Sequence, residues 1–325
     1  MAAVKPGSQD KMAPQQGARA REYVENLLLV GIHDSRTTQE QPVMPIQKTV
    51  PLEDELGDVL EKAMRGSGVG LEALSQSASV PVSKIRDAVD YRPDLDCDEI
   101  RRIAAVLKLN EVGLCALGAG RYPLPEIGGL PFRMWPLRMA HGIGVANAYL
   151  ISEYGSAHGV LFDTGAGMDA LTALWPDEVR RLDAVFLTHV EAEHAGGLRE
   201  ILARFGAPAA YVPRGAHAPG GGQIGEGEAR AFESMRVEAF STPGHTAAHN
   251  CYLVRAGTAR SGRALLVSGD LVFAGSAGGG YFSPHQLQEQ LCRLLKGLPA
   301  DTVIAPGHGP LTTVENELKF NPFIL

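Results

Sequence analysis

Four potential metal ligands stand close together in one stretch of the chain, residues 187–197. They are His189, Glu191, Glu193 and His194. Imidazole and carboxylate groups are common protein ligands of zinc, iron and manganese. An apolar run, 184–187, precedes them, and apolar residues recur at helical spacing over 198–205. The pattern predicts a buried strand, then a loop of ligands, then an amphipathic helix.

Further ligand-type residues stand at the ends of other apolar runs. They are Asp163 in F-D-T-G, His245 in T-P-G-H-T, Asp270 in V-S-G-D and His308 in A-P-G-H-G-P. A strand that gives way to a loop fixes the backbone at a point where a side chain can face a shared site. The residue types and their positions therefore indicate a metal site built from strand ends.

Short apolar runs and helical stretches alternate through the second part of the chain. The predicted strands are 148–151, 160–163, 184–187, 209–212, 237–240, 251–254, 264–268 and 302–304, and the predicted helices are 196–205 and 286–298. This order indicates an α/β sandwich rather than strict β-α-β winding.

Length and composition set the outer bounds. The chain has 325 residues, of which 45% are apolar and 21% charged, so we expect two folded units. The net charge of −7 argues against a general attraction to nucleic acid or to a membrane surface, and no apolar run is long enough to cross a bilayer. The four cysteines are far apart and form no C-x-x-C pair. With no apolar secretory signal near residue 1, these features predict a cytoplasmic protein.

The first part of the chain differs in pattern from the rest. Residues 1–51 are polar and rich in Pro and Gln, which predicts a poorly ordered arm. Residues 52–117 repeat apolar positions at helical spacing in several short helices, with a tight turn between the second and third, which predicts a helix-turn-helix arrangement. Residues 118–132 contain three prolines and indicate a linker, and 133–325 form the second folded unit.

Two segments of the helical unit, G-L-E-A-L-S-Q-S-A-S-V-P-V-S-K-I and I-R-R-I-A-A-V-L-K-L, resemble the Cro/C1-type repressor family. That resemblance implies DNA binding, but the charges argue against it. Thirteen acidic and eight basic residues lie between Glu53 and Glu111, a net charge of −5, whereas a DNA-reading helix needs basic neighbours. We therefore expect this unit to make protein contacts, in a homodimer or against the second unit.

The motifs of the second unit resemble the metallo-β-lactamase superfamily in both content and order. They are F-D-T-G, T-H-x-x-x-x-H-x-G-G, G-H-T, S-G-D and P-G-H-G-P. The tail G-H-G-P-L-T-T-V-E-N-E-L-K-F-N-P-F-I-L and the segment F-A-G-S-A-G-G-G-Y-F are similar to the short glyoxalase II-like hydrolases. The resemblance implies an αβ/βα sandwich, here preceded by a small all-α unit, with two divalent metal ions at one edge.

The resemblance also implies a set of ligands. The first metal would take His189, Glu191 and His245, and the second would take Glu193, His194 and His308, with Asp270 bridging the two. The family's first motif is His-x-His-x-Asp-His, whereas this chain has His-x-Glu-x-Glu-His. Both changes keep a ligand and make the pair harder and more anionic, which shifts the preference from zinc toward iron or manganese. They could also spoil the first site and leave one metal.

Other residues receive supporting roles. Asp270 or Glu193 would hold or accept the proton of the attacking water, Asp163 would orient a ligand loop, and His249 would support a ligand or line the substrate pocket. His141 would face the site or pack. His33, His158 and His217 are expected at the surface and His285 at the pocket rim. G-G-G-Q-I-G, residues 220–225, matches a phosphate-binding pattern by letter, but it is interpreted as a flexible loop beside the site.

The reaction implied is the hydrolysis of a small-molecule thioester or other activated ester by a metal-bridged hydroxide. Glutathione is not the expected leaving group, because the chain extends only seventeen residues past His308 and leaves no room for a C-terminal helical region. Two alternatives stay open. One is a sensor or scaffold in which a degenerate metal site serves the helical unit. The other is a persulfide dioxygenase with a single iron on His189, His245 and Asp270.

Overall fold

The structure is a computed structural model that describes residues 50–142, 144–257 and 262–325. The predicted arm, 1–51, lies outside the described residues except for its last two, and His33 lies outside them as well.

Five short helices open the described part of the chain. They are α1 (Leu56–Ser67), α2 (Leu71–Ala78), α3 (Val82–Val89), α4 (Cys97–Leu107) and α5 (Glu111–Gly118). Their buried apolar residues recur three or four positions apart, as an amphipathic helix requires, and form one shared core. Side chains cap two of the N-termini, because Asp96 accepts from the Glu99 amide and Asn110 from the Val112 amide.

The helices stand where the apolar spacing predicts them. A tight turn at 79–81 separates α2 from α3, as expected. The segment between α5 and the first strand, 119–132, contains no helix or strand, yet Tyr122, Ile127 and Phe132 in it are buried. The Cro/C1-type resemblance and the domain boundaries at 52, 118 and 133 stay predictions.

Two six-stranded sheets follow. The first has the order β1-β2-β3-β4-β5-β6, and the second has the order β14-β13-β10-β9-β8-β7. The strands of the first sheet are β1 (Arg133–His141), β2 (Gly144–Ser152), β3 (His158–Phe162), β4 (Arg181–Phe186), β5 (Ala209–Pro213) and β6 (Gly221–Ile224). Those of the second are β7 (Ala229–Phe232), β8 (Met235–Ser241), β9 (Asn250–Ala256), β10 (Leu265–Gly269), β13 (Val303–Pro306) and β14 (Thr312–Thr313). A small hairpin, β11 (Val272–Phe273) and β12 (Ser276–Ala277), stands apart.

Helices cover the outer faces of both sheets. They are α6 (Met168–Leu174), α7 (Ala192–Ala195), α8 (Leu198–Arg204), α9 (Pro284–Gly297) and α10 (Val314–Phe320). Helix α9 begins with Ser283 as its cap and Pro284 at its first position, and it buries four leucines against the second sheet. The result is the layered α/β sandwich expected from the sequence.

The core between the sheets holds the ligand loop in place. Phe186, the last residue of β4, is fully buried, and its ring centroid lies 5.4 Å from that of Phe162 and 5.1 Å from that of Tyr252 on the opposite sheet. Removing a buried aromatic ring of this kind typically costs about 3–5 kcal/mol. The backbone is therefore firmly anchored three residues before His189.

The interpretation of residues 220–225 as a flexible loop beside the site is wrong. Gly221–Ile224 forms the edge strand β6, which pairs in parallel with β5 from Ala210 to Pro213. Glycine is poor in strands, so propensity alone suggested a loop. Ile224, which is fully buried in the core between the sheets, fixes the segment as a strand.

No helix among residues 50–142, 144–257 and 262–325 combines the length and apolar character that crossing a bilayer requires.

Candidate metal centre

The ligand-type residues of the sequence converge at one edge of the sandwich. Asp163 follows β3, His189 follows β4 by three residues, Asp270 directly follows β10, and His308 follows β13 by two. All four side chains are buried. Because β3 pairs in parallel with β4, and β10 with β13, the carboxyl ends of these strands lie side by side. The sheet topology therefore assembles the site.

The stretch that follows β4 turns at once into a short helix. Glu191 stands at the N-terminus of α7, and its carbonyl oxygen accepts from the His194 amide at 3.0 Å. Its side chain makes no capping hydrogen bond, so the carboxylate is available to the imidazoles nearby. The helical turn brings Glu193 and His194 back toward His189, whose ring centroid lies 4.3 Å from that of His194.

Two imidazoles are oriented by backbone carbonyls. The Nδ1–H of His245 donates to the Gly279 carbonyl oxygen at 2.9 Å, and that of His308 donates to the Val145 carbonyl oxygen at 2.9 Å. A carbonyl only accepts, so each contact places a proton on Nδ1 and leaves Nε2 as the ring nitrogen that faces the site.

The other two imidazoles are oriented by side chains. Thr188 donates its hydroxyl to Asp163 Oδ2 at 2.8 Å and accepts from His189 Nδ1 at 3.0 Å. His194 Nδ1 donates to the same Asp163 oxygen at 3.2 Å. Asp163 has φ 58°, a left-handed conformation that is rare outside glycine and strained at functional positions. These contacts join Asp163 to Thr188 and His194, and its role in orienting the ligand loop stays a prediction.

Four buried polar atoms in this pocket have no hydrogen-bond partner among the described residues. They are His189 Nε2, His194 Nε2, His245 Nε2 and Asp270 Oδ1. Leaving one such atom unpaired costs about 1–3 kcal/mol. Bound cations would satisfy these atoms, and nitrogen and oxygen donors of this kind suit zinc, iron and manganese. The residues therefore fit a metal centre.

The donor atoms divide into two groups that share Asp270. Within each group, the atoms all lie within 4.8 Å of one another. One group is Glu193, His194, Asp270 and His308, and the other is His189, His245 and Asp270. We call them the His194 half and the His189 half. Asp270 Oδ2 lies 3.5 Å from His245 Nε2 and 3.4 Å from His308 Nε2, so this carboxylate reaches both halves.

Glu191 lies beside the His189 half without entering it. Its carboxylate oxygens are 3.6 Å from His245 Nε2 and 3.9 Å from His189 Nε2, but the side chain is 45% exposed. Glu193 is 24% exposed, and one of its oxygens lies 3.7 Å from His308 Nε2. The sequence predicted both glutamates as metal ligands without distinguishing them, whereas in the structure Glu193 is less exposed than Glu191 and lies deeper in the centre.

His249 supports Asp270 from behind. Its Nε2 accepts the Asp270 amide proton at 3.2 Å, and its Nδ1 contacts the Thr242 hydroxyl at 2.7 Å. Burial lowers the pKa of His249 to about 3, so the ring is neutral and can accept that proton. Both ring nitrogens are engaged within the fold, and His249 does not appear in the lining of the cavity, which favours the first of its two predicted roles, support of a ligand.

Gly307 stands where no side chain fits. A Cβ on this residue would lie 2.1 Å from Asp270 Oδ1 and 3.0 Å from His194 Cε1. Any other residue before His308 would therefore push the shared carboxylate out of place.

The surroundings of the site shift the pKa values of its ionisable groups. Burial opposes ionisation of Asp270, but the imidazoles of His308 and His194 outweigh it and hold the pKa of this carboxyl well below its usual value. Burial likewise opposes protonation of His308, but Asp270 outweighs it and raises the pKa of the imidazole to about 10. Burial lowers the pKa of His189 well below its ordinary value, which favours the neutral form that binds a metal. An ionised buried carboxylate among imidazoles demands positive charge nearby.

A cavity of about 510 Å³ opens onto this centre. His141 lines it, with its Nε2 3.3 Å from Glu193 Oε2, so this histidine faces the site. His217 is exposed, and His158 is half-exposed and paired with Asp183. His285 does not line the cavity as expected, because it sits on the solvent side of α9 and pairs with Glu289.

Sequence reasoning missed one side of the cavity. Glu53, Lys62 and Arg65 of the helical region line it, together with Tyr281. Burial raises the pKa of Glu53 to about 7. No local signal marks these three residues as functional, since their spacing is that of an ordinary solvated surface and they lie about a hundred residues from the nearest ligand motif.

The model of the metallo-beta-lactamase superfamily matches residues 141–308, more than half of the chain. The chain belongs to the metallo-beta-lactamase superfamily. The family-level resemblance read from the motifs is thereby confirmed.

Its relatives include hydroxyacylglutathione hydrolases of Salmonella dublin and Salmonella typhi. Each is 30% identical over 155 residues, which cover 46% of this chain and 56% of the relative. The chain thus spans about half the length of the curated relatives it matches. A solved metallo-beta-lactamase of Staphylococcus aureus has a TM-score of 0.50 at 19% identity and covers 58% of this chain and 62% of its own, which shows the fold alone.

Proposed function

We propose that this protein is a metal-dependent hydrolase that acts on a thioester or another activated ester. The observation that carries the proposal is the convergence of His189, His194 and His245 Nε2 atoms and Asp270 Oδ1, all buried and without partners among the described residues. Family membership supports a hydrolase, and the hydroxyacylglutathione hydrolases among the relatives suggest the thioester class.

Each half would hold one divalent ion. The residues that would hold the two ions are His189, Glu191 and His245 in the His189 half, Glu193, His194 and His308 in the His194 half, and Asp270 in both. When bound, two such ions supply Lewis acidity and lower the pKa of water to near neutrality. The carboxylate-rich set suits iron or manganese as well as zinc.

Among the described residues, no serine, threonine or cysteine lines the cavity, so water is the nucleophile in this proposal. Of the two carboxylates expected to handle the proton of that water, Glu193 is the better acceptor because it reaches solvent and contacts His141. Asp270 is fully buried with a depressed pKa, and a weak base of this kind serves better to hold the centre together.

A second candidate function follows from the His189 half, which has the smaller group of donors. His189, His245 and Asp270 form two imidazoles and one carboxylate, the donor set of non-haem iron oxygenases. A persulfide dioxygenase with one iron would use this set alone. The compact second group around His194 favours the two-metal hydrolase.

Elemental analysis and a thioesterase assay on the same preparation test the proposal. We expect about two equivalents of zinc, iron or manganese per chain and turnover of a simple acyl thioester. One equivalent of iron, together with oxygen consumption on a persulfide, would favour the dioxygenase. Total metal below about half an equivalent would contradict both enzymes and favour the sensor.

A further inference from the structure

The helical region forms one wall of the cavity that opens onto the metal centre. Glu53, just before α1, places its carboxylate 3.9 Å from His308 Nδ1. In the last turn of α1, Arg65 lies 5.2 Å from the centroid of the Tyr281 ring, and that ring lies 5.4 Å from the ring of His245. Glu53 therefore lies directly beside the candidate ligand His308, and Arg65 is separated from the candidate ligand His245 by the Tyr281 ring.

This wall is held firmly against the sandwich. Lys62 donates to the Asp54 carboxylate and, at 2.8 Å, to the carbonyl oxygen of Ala277, and the Ser276 hydroxyl also donates to Asp54. These buried, charge-assisted contacts tie α1 to the hairpin that follows Asp270. The cavity is consequently a fixed feature of the fold and does not depend on a transient contact between the helical region and the sandwich.

A second point of attachment lies at the other end of the helical region. Gly113 of α5 packs so closely on α10 that a Cβ there would lie 1.6 Å from the carbonyl oxygen of Phe320. Tyr122 donates to the buried Glu317 carboxylate at 3.0 Å. Attachment at both ends leaves little freedom for α1 to move away from the centre.

The wall carries an excess of negative charge. Its ionisable groups are Glu53, Asp54, Asp58, Glu61, Lys62 and Arg65, a net charge of −2 when all are ionised. Because burial raises the pKa of Glu53 to about 7, protonation of this one group near neutral pH reduces the net charge to −1. Lys62 is taken up by Asp54, and Arg65 lies 3.9 Å from Glu61 at the exposed rim. The opposite side of the cavity would lose its negative charge once loaded, because two divalent ions would bring four positive charges against the three carboxylates of Glu191, Glu193 and Asp270, a net charge of +1 with bound water and zero with bound hydroxide. The loaded cavity would therefore be more negative at the helical end than at the reacting end.

We propose that the helical region is the substrate-recognition wall of this enzyme, and that it selects esters or thioesters whose end remote from the carbonyl is positively charged. The inference rests on the proposed hydrolase function and specifies its substrate class. A cationic end would lie along α1 while the carbonyl faces the metal centre, so the field of the cavity orients the substrate. An anionic end, such as a carboxylate, would meet Glu53 and Glu61 and be disfavoured.

Binding of stable thioethers to the zinc-loaded protein tests the inference without requiring turnover. Three matched probes are the S-propyl thioethers of thiocholine, of its neutral tert-butyl isostere and of 3-mercaptopropionate, titrated by calorimetry or NMR. We expect the cationic probe to bind about three- to tenfold more tightly than the neutral one, and the anionic probe to bind most weakly.

Two charge-reversal variants locate the effect. Glu61→Lys should abolish the preference for the cationic probe, whereas Glu72→Lys, an equal change of charge at an exposed position of α2 outside the cavity, should preserve it. Equal binding of all three probes to the unmodified protein would overturn the inference, as would equal effects of the two variants.

Hydrolysis of the corresponding S-acetyl thioesters separates this inference from the function on which it rests. Failure to turn over any of the three would count against the hydrolase, while thioether binding would still decide the role of the wall. Turnover of all three at equal kcat/KM, with no change in Glu61→Lys, would keep the hydrolase and remove the wall as its specificity element.

Discussion

The two halves of the metal centre share Asp270 but differ in how their remaining carboxylate is placed. In the His194 half, Glu193 joins the imidazoles in one compact group and is 24% exposed. In the His189 half, Glu191 lies 3.6 Å from His245 Nε2, remains outside the compact group and is 45% exposed. The His194 half is thus closed by four donors and the His189 half by three, with a fourth at its edge.

The comparison shows which part of such a site is fixed by the fold. The imidazoles are buried and held at Nδ1 in both halves, so their positions follow from the sheets and loops around them. Glu193 stands on α7, a helix of four residues at the edge of the cavity, and Glu191 directly precedes that helix. The fold therefore determines where the metals would sit, and the two glutamates determine how tightly each half would hold one.

The largest effect should follow from removing the shared ligand. Asp270→Ala takes a donor from both halves at once, so we expect metal affinity to fall more than about 100-fold in each and hydrolysis to fall with it. Elemental analysis after dialysis, beside a thioesterase assay, measures both quantities. Glu72→Gln on α2 is the control. Retention of one tightly held metal in Asp270→Ala would show that the halves do not share this residue.

The two glutamates test the difference between the halves directly. Glu193→Ala removes a member of the compact group and should weaken the His194 half about 100-fold, whereas Glu191→Ala should weaken the His189 half only about tenfold. Chelator competition on the two variants, each with one metal half left intact, gives the two affinities. An equal loss in both variants would contradict the ranking that we draw from their exposure.

A good part of this site could be predicted from the sequence because each ligand belongs to a short motif at a strand end. The apolar run that ends in T-H-V-E-A-E-H places His189 and His194 by local pattern alone, and the order of five motifs places His245, Asp270 and His308. The unequal depth of Glu191 and Glu193 could not be predicted. It depends on how a four-residue helix sits against His308, which lies more than a hundred residues away.

The wall of the cavity formed by the helical region could not be predicted from the sequence for the same reason. Glu53 and Arg65 have the spacing of a solvated face, and only the attachment of α1 to residues 276–277 turns them toward the cavity. Gly221–Ile224 shows the reverse error. Its glycines suggest a loop, yet pairing with β5 and the burial of Ile224 make it a strand. Prediction from the local sequence pattern fails where long-range contacts determine the structure.

A smaller effect should follow from weakening the support of one imidazole. His194 alone among the four donates its Nδ1–H to a carboxylate, that of Asp163, which strengthens Nε2 as a donor. Asp163→Asn should therefore lower affinity in the His194 half by about tenfold. Because the Thr188 hydroxyl also bonds to Asp163, His189 is affected only through that hydroxyl, and its half should change less. Metal titration followed by cobalt absorption would show whether one band or both are lost.

The smallest and most specific change is to give Glu191 the imidazole found at the corresponding position of the family's first motif. An imidazole suits zinc better than a carboxylate does, so Glu191→His should raise the preference of the His189 half for zinc over manganese by about tenfold while the His194 half keeps its own preference. Competition between the two metals, read by elemental analysis at a fixed total concentration, measures the shift. Glu191→Gln is the matched control, because it removes the charge without adding an imidazole.

If Glu191 pointed to solvent instead of to His245 and His189, both variants would leave metal content and selectivity unchanged, and the His189 half would be a three-donor site. A shift in Glu191→His that Glu191→Gln does not share would place residue 191 among the ligands.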